Sequence, residues 1–229
     1  MAEPSHYKKP TVFYMSRPTI DVCVMGAWGT GKTSLLNRYT EGFFEPRTLT
    51  TIGTDCCNIL YDVEPITGKC RRNHKFRTID DEYSGRLIMR CWDTAGQERF
   101  IALARSYIRQ GSVFIVCCDG SAPLHQQVKF WFQEITICGV PPYKVIVVLT
   151  KSDLHDSSVK ALMHCAFREL VNDSSIEVSY FETSAKENVG VTELFEWIAR
   201  YGVVSKRRLK NHLDKKEGFN KLCASCCSK

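Results

Sequence analysis

No apolar run in this 229-residue sequence approaches the ~20 residues that span a bilayer; Val113–Cys118 and Val145–Leu149 are strand-length. Met1 to Pro18 is polar and lacks the apolar core of a signal peptide, and Ala2 excludes N-myristoylation. A protein made and kept in the cytosol is expected. A disulfide framework is also missing, although there are twelve cysteines. Cys23, Cys91, Cys117 and Cys118 sit in apolar, strand-like runs where a thiol serves as a small hydrophobe. Cys56 and Cys57 are adjacent, so on a strand they face opposite ways. Free thiols are therefore expected. Cys223-x-x-Cys226 has metal or redox spacing, but no second pair or nearby His completes a zinc site.

The body of the chain also has no excess of one charge. Ser205–Lys229 holds eight Lys/Arg against two acids, leaving 23 of each sign elsewhere, so the whole formal +6 is a C-terminal tail. Such a run reads as a solvated tail or a membrane-surface segment rather than a nucleic-acid arm. Hydrophobic content of 44% and charged content of 24% suit one soluble domain with appendages.

What is present begins with Gly26-Ala27-Trp28-Gly29-Thr30-Gly31-Lys32-Thr33, which matches G-x-x-x-x-G-K-[ST]. Ile20 to Met25 before it reads as a strand, and Ser34 to Tyr39 after it as a helix. In that context the glycines let backbone N–H groups turn toward phosphate oxygens, and the helix N-terminus adds its dipole. Lys32 would reach the β- and γ-phosphates, and the Thr33 hydroxyl would ligate Mg²⁺. A plain Gly-rich turn is the alternative reading of the motif taken alone.

Phe43 to Asp55 is a loop leading into a strand that continues over Asn58–Val63. Arg86–Trp92 alternates as its antiparallel partner and ends at Asp93. Residues 64–85 intervene where a hairpin usually needs 2–5 residues. That insert is basic first (Lys69, Arg71, Arg72, Lys75, Arg77) and acidic later (Asp80, Asp81, Glu82). It reads as a surface loop or a partner-binding element, dispensable for folding. Asp93, at a strand end beyond a phosphate loop, is placed either to organise Mg²⁺ or to cap a helix. Beyond a helix to about Arg109 comes the buried strand Ser112–Cys118. Val128, Trp131, Phe132 and Ile135 then give the i, i+3, i+4, i+7 stripe of a core-facing helix. The apolar strand Lys144–Leu149 runs into Thr150-Lys151-Ser152-Asp153. A helix over 161–171, a strand near 176–181, the loop Thr183-Ser184-Ala185-Lys186 and a last helix from Val191 to about Val204 complete the pattern. Alternating strands and helices specify a layered α/β sheet. Ligands gather at the carboxyl ends of its strands, where the phosphate loop, Asp93, Thr150–Asp153 and Ser184–Lys186 all fall.

Together these residues resemble a Ras-superfamily small GTPase over Thr19 to Val204, with Ile52-Gly53-Thr54-Asp55, Trp92 to Phe100 and Ser106-Tyr107-Ile108-Arg109 most similar to the Rab branch. The resemblance implies a P-loop NTPase fold of the small-GTPase type, with a mostly parallel six-stranded sheet and helices on both faces. It divides the chain into an extension (1–18), the GTPase domain (19–204, carrying the 64–85 insert) and a hypervariable tail (205–229). It also implies binding of GTP and GDP with Mg²⁺. Gly26, Ala27, Trp28, Gly29, Thr30, Gly31, Lys32, Thr33 and Ser34 would cradle the phosphates. Thr33 and Thr51 would ligate Mg²⁺, with Asp93 holding it through a water. Gly96 would give its N–H to the γ-phosphate and Gln97 would orient the attacking water, so Gln97, Lys32, Thr51 and Gly96 form the catalytic set. Asp153 would read guanine N1–H and the 2-amino group, the Lys151 stem and Phe44 would cover the base, and Ala185, flanked by Ser184 and Lys186, would meet O6. Cys226 and Cys227 resemble a Rab ending whose cysteines are geranylgeranylated, and two chains suffice for anchoring. Exchange factors, GTPase-activating proteins, a prenyl chaperone and effectors are the implied partners of a monomer on the cytoplasmic face of intracellular membranes.

Three positions depart from the Rab pattern. Thr150 replaces the usual Asn, Cys56 replaces Phe, and Trp28 stands by the γ-phosphate where small residues are usual. Trp28 is expected to obstruct hydrolysis, or else to fold outward over the switch loops. Obstruction would make the chain a guanine-nucleotide-binding interaction protein with negligible turnover. A P-loop ATPase or nucleoside kinase leaves Asp153 and Ser184–Lys186 without a task.

Overall fold

The computed structural model describes residues 18–64, 69–72, 86–121, 124–140, 143–173 and 177–205. In chain order these form β1 (Thr19–Gly26), α1 (Lys32–Glu41), β2 (Thr54–Val63), β3 (Cys70–Arg72), β4 (Arg86–Thr94), α2 (Ile101–Ile108) and β5 (Val113–Cys118). There follow α3 (Leu124–Cys138), β6 (Lys144–Leu149), α4 (Ser157–Asp173) and β7 (Val178–Glu182). The last described helix, α5, covers 191–205.

The strands form one sheet in the order β3-β2-β4-β1-β5-β6-β7. From β4 to β7 every pairing is parallel, and only β2 with β4 and β2 with β3 run antiparallel. A central parallel strand is covered on both faces, which is why β5 (VFIVCC) and β6 (KVIVVL) are buried at every residue. Alternation still sorts their side chains. Val22, Val24, Val113, Ile115, Ile146 and Val148 face the layer of α1 and α5. Cys23, Met25, Phe114, Val116, Val145 and Val147 face that of α2, α3 and α4.

The helices meet these faces through the spacing of their apolar residues. Leu35, Leu36 and Tyr39 of α1 and Val191, Leu194, Phe195 and Ile198 of α5 bury on the first face. Ala104, Ile108, Val128, Trp131, Ile135 and Met163 bury on the second. Each fully buried side chain of this size contributes about 1.5–3 kcal/mol. The Tyr39 ring stacks on Phe195 with centroids 4.3 Å apart, and its hydroxyl is 2.7 Å from that of buried Tyr61. This pairing satisfies both buried phenols and pins α1 over the sheet. The nine described cysteines are free thiols, as expected.

The sheet differs from expectation in one respect: it has seven strands, because the insert supplies β3. Glu64 N–H donates to Lys69 O at 2.9 Å, and Val63, Asp62 and Tyr61 then pair with Cys70, Arg71 and Arg72. An open edge of β2 offers unpaired backbone groups, and a chain turned back on itself can satisfy them. The returning strand also puts Cys70 into the core, 2% exposed. Arg72 donates to the carbonyls of Tyr39 and Thr40 at the end of α1, and its guanidinium lies 4.7 Å over the Tyr39 ring. Residues 69–72 are therefore built onto the domain rather than looping off it. The N-terminal extension, the rest of the insert and the tail with Cys226 and Cys227 lie outside the described residues. Among the described residues no helix is long and apolar enough to cross a membrane.

Candidate functional site: a cleft at the strand carboxyl ends

Five parallel strands deliver their carboxyl ends to one edge, and a cleft of about 300 Å³ opens there. β1 runs into the phosphate loop. Gly26 has φ +146, and a Cβ on it would stand 2.3 Å from the Cys117 carbonyl, so only glycine allows this close pass over β5. Gly29 and Gly31 also take positive φ, and Thr30 folds back onto the Ala27 carbonyl through its hydroxyl at 2.9 Å. The loop closes on itself and hands the chain to α1 at Lys32.

Lys32 is buried, and its ammonium donates to the carbonyls of Gly26 at 3.0 Å and Ala27 at 2.7 Å. Burial pushes its pKa below the usual lysine range, opposed by the carboxylates of Asp93 and Asp119. A cation so poorly solvated is poised to take an anion. Gly96 lies against it: a Cβ there would fall 2.5 Å from Lys32 Nζ and 2.6 Å from the Ala27 carbonyl. Glycine is required at that position by close approach alone.

Thr33, Thr51 and Asp93 come from α1, the loop before β2 and the end of β4. Their oxygens converge: Thr33 Oγ1 donates to Asp93 Oδ2 at 2.6 Å and stands 3.0 Å from Thr51 Oγ1, which is 3.4 Å from the same Oδ2. The other carboxylate oxygen, Asp93 Oδ1, is buried without a partner among the described residues. Burial raises the pKa of this carboxyl, against the bonds from Thr33 and Thr51 and the charge of Lys32. Two hydroxyls beside a carboxylate with an orphaned oxygen form an all-oxygen donor set, which fits a hard cation such as Mg²⁺. Among the described residues no cluster of three His, Cys, Asp or Glu offers a softer site.

On the far side lie the two loops after β6 and β7. Thr150 is buried, and its hydroxyl donates to the Thr30 carbonyl at 2.6 Å and approaches that of Cys118 at 3.1 Å. The Thr that departs from the Rab pattern thus ties its loop to the phosphate loop. Lys151 takes φ 53, and its ammonium donates to Asp119 Oδ2 at 2.7 Å. Burial alone would push the Asp119 carboxyl up, but bonds from Lys151 and Ser121 outweigh it and hold the carboxyl low. Asp153, exposed at the cleft rim, accepts from Ser184 Oγ at 2.6 Å, and Ser184 Oγ accepts from the Glu187 N–H at 3.0 Å. One Asp153 oxygen is thereby fixed.

The cleft wall includes Trp28, Gly29, Gly31, Lys32, Thr33, Ser34, Phe44, Thr51, Gly96, Thr150, Lys151, Asp153, Ala185 and Lys186. The others stand one layer back: Gly26, Ala27 and Thr30 in the loop backbone, Asp93 behind Thr33, and Ser184 behind Asp153. Gln97 is apart. Its side-chain oxygen accepts from Arg99 Nε at 2.8 Å, and it does not line the cleft. Trp28 lines the mouth of the cleft and leans over the loop before β2, 64% exposed, with its indole N–H 3.4 Å from Thr50 Oγ1. Pro46, Thr48 and Leu49 line the cleft although no motif marked them. Asp119 and Arg38 were also missed. An acid directly after a buried parallel strand was the available signal for Asp119; none existed for Arg38.

The Ras family model matches residues 21–203. Over 188 residues the chain is 31% identical to Ras-related protein Rab-22A of Mus musculus, covering 81% of this chain and 84% of that protein. It is 30% identical over 193 residues to Ras-related protein Rab-7a of Dictyostelium discoideum, covering 80% and 82%. It is 31% identical over 192 residues to the Ypt/Rab-type GTPase avaA of Emericella nidulans, covering 79% and 80%.

Proposed function

The chain belongs to the Ras family, with Rab proteins among its relatives, and we propose that it binds GTP and GDP with Mg²⁺ and hydrolyses GTP to GDP and phosphate as a membrane-anchored switch in vesicle traffic. One observation carries the reading. A buried lysine in a backbone cradle stands beside an all-oxygen set with an orphaned carboxylate oxygen, and the Asp153 carboxylate, held by Ser184, lines the same cleft.

Lys32 trades its two loop carbonyls for β- and γ-phosphate oxygens, which restores the solvation its charge lacks. Thr33 and Thr51, backed by Asp93, would hold Mg²⁺, which would supply neutralisation of the phosphate charge. Asp153 accepts from guanine N1–H and the 2-amino group; adenine offers no such pair, so a desolvated carboxylate would go unmatched. Lys151, held by Asp119, lays its stem over the base, with Phe44 opposite. Gly96, free of any Cβ, gives its N–H to the γ-phosphate. Gln97 orients the water for in-line attack once it leaves Arg99. Catalysis is then positioning and charge neutralisation, and loss of the γ-phosphate releases the Thr51 and Gly96 loops from their effector-binding arrangement. The non-hydrolysing reading rested on obstruction by Trp28, and the exposed indole lends it no support.

Geranylgeranylation of Cys226 and Cys227, with the basic tail as a secondary attraction, supplies the anchor in this proposal. Exchange factors, activating proteins, a prenyl chaperone and effectors would set its cycle. The deciding experiment identifies the nucleotide released from purified full-length protein and follows single-turnover hydrolysis of bound GTP. Guanine nucleotide with measurable phosphate release supports the proposal; adenine nucleotide, or no turnover even with an activating protein, overturns it. Replacing Cys226 and Cys227 by Ser together should leave nucleotide binding intact and free the protein from membranes. A double variant that still pellets with them refutes the lipid anchor.

A further inference from the structure

Arg38 lies on α1, away from every motif, yet its guanidinium gathers three carbonyls from two distant segments. Nε donates to Ala185 O at 2.5 Å, Nη2 to Lys186 O at 3.1 Å and Nη1 to Gly42 O at 2.8 Å. Gly42, with φ 79, ends α1 and begins the loop that carries Phe44 and Thr51 over the cleft. Ala185 and Lys186 line the same cleft on its base side.

The loop 183–190 is held at its base, where the Thr183 N–H donates to Leu149 O at 2.8 Å and Thr183 O accepts from the Ser152 N–H at 3.0 Å. The Glu187 N–H also holds it, donating to Ser184 Oγ at 3.0 Å. Ser184 and Val189 exchange backbone hydrogen bonds at its neck, at 2.9 and 3.0 Å, and Ser184 Oγ serves Asp153. Beyond that neck, Lys186 and Glu187 are exposed and pair with each other at 3.3 Å, an exposed contact that orders little. The two peptides that follow Ala185 are held from outside by Arg38. A planar fork can bind several carbonyls at once, whereas an ammonium acts as a point donor.

We propose that Arg38 is the positioning residue for base recognition, and through it for nucleotide release. It fixes the Ala185 loop at the distance where a backbone N–H meets the 6-oxo group of a purine, and it ties that loop to the entrance loop at Gly42. Losing the fork frees both walls of the base pocket together while the phosphate cradle, bonded internally through Thr30, Lys32 and Thr150, stays formed. The inference rests on the guanine-binding reading and deepens it.

The test uses full-length protein bearing Arg38→Met, which keeps the apolar stem, and Arg38→Lys, which keeps the charge without the fork. Two diphosphates are compared, GDP and 6-thio-GDP, which keeps N1–H and the 2-amino group and changes only the 6-oxo acceptor to sulfur, with ADP as the control for guanine binding. Wild type should prefer GDP over 6-thio-GDP by at least ~3-fold, because sulfur accepts the backbone N–H more weakly than oxygen does. In Arg38→Met the preference should fall toward unity and GDP release should accelerate at least ~10-fold, with Arg38→Lys between. Should Arg38→Met fail to fold, the reduced preference in Arg38→Lys decides. If either variant weakens both nucleotides by the same factor, Arg38 is merely structural and the proposal falls. If wild type does not prefer GDP over ADP, the guanine-binding reading falls, and this one with it; if it prefers GDP over ADP but not over 6-thio-GDP, this proposal alone falls. A lost preference in the variants beside an intact one in wild type supports both.

Discussion

The insert provides the sharpest quantitative test, because the sequence marks it as dispensable and the fold makes part of it structural. Consider removal of residues 65–85, with Glu64 rejoined to Arg86 by a short Gly-Ser turn. Closing that turn costs little, since Asp62 and Arg86 are already opposite each other on β2 and β4. The losses lie elsewhere. Cys70 leaves a site only 2% exposed, which exposes part of Tyr61 and the α1 layer to water at about 1 kcal/mol. Arg72 leaves the carbonyls of Tyr39 and Thr40, two charged hydrogen bonds at the end of α1, and its stacking over Tyr39. These bonds are partly solvated, so together they are worth about 1–2 kcal/mol, and the cation–π contact about 0.5–1 more. The total is about 2.5–4 kcal/mol. For a domain of this size each kcal/mol moves Tm by about 2–4 °C, so the deletion should lower it by roughly 5–16 °C. Thermal unfolding of the GDP-loaded protein, followed by circular dichroism, measures this directly. A second variant that keeps 64–72 and replaces 73–85 by a Gly-Ser linker of the same length, which can cross over β2, should stay within about 2 °C of wild type. Cys70→Ala and Arg72→Met should divide the loss between them. If the full deletion unfolds within about 2 °C of the intact chain, β3 contributes nothing and the reasoning fails.

Asp153→Asn keeps an oxygen for Ser184 but loses the charge that guanine needs, so GTP affinity should drop at least ~10-fold, for ~1.5–3 kcal/mol, and preference should shift toward xanthine nucleotides. Unchanged GDP dissociation in this variant would remove Asp153 from the base site. Chelating Mg²⁺ should speed GDP release from wild type at least ~10-fold, whereas Thr33→Ala, already short of one ligand, should respond by less than ~3-fold. An equal response in both would show that Thr33 does not hold the metal. Trp28→Ser removes only an exposed indole and a 3.4 Å bond to Thr50, worth at most ~1 kcal/mol, so single-turnover hydrolysis should change less than ~5-fold. A rise of ~10-fold or more would restore Trp28 as an obstruction.

By itself the sequence determined the layered α/β class, the parallel core strands and four of the segments around the cleft. Each of these is written locally. The phosphate loop needs its glycines and Lys32-Thr33 at fixed spacing between a strand and a helix, and Val145–Leu149 is apolar at every position because both its faces are covered. Asp93, Thr150–Asp153 and Ser184–Lys186 were legible because chain order alone puts them at strand ends, and a parallel sheet brings such ends to one side. Only the tertiary structure decided which distant groups those segments lean on. Arg38 meets Ala185 across 147 positions, the Thr150 hydroxyl reaches the Thr30 carbonyl across 120, and Lys151 finds Asp119 across 32. No periodicity encodes such pairings, because they follow from how neighbouring strands bring their loops together. The same limit hid β3: Cys70-Arg71-Arg72 is too short and too charged to read as a strand, and it becomes one because β2 leaves an edge for it to pair with. Trp28 leans over the loop before β2 for a related reason. A side chain on a tight loop takes whichever volume its neighbours leave, and here that was the water beside Thr50.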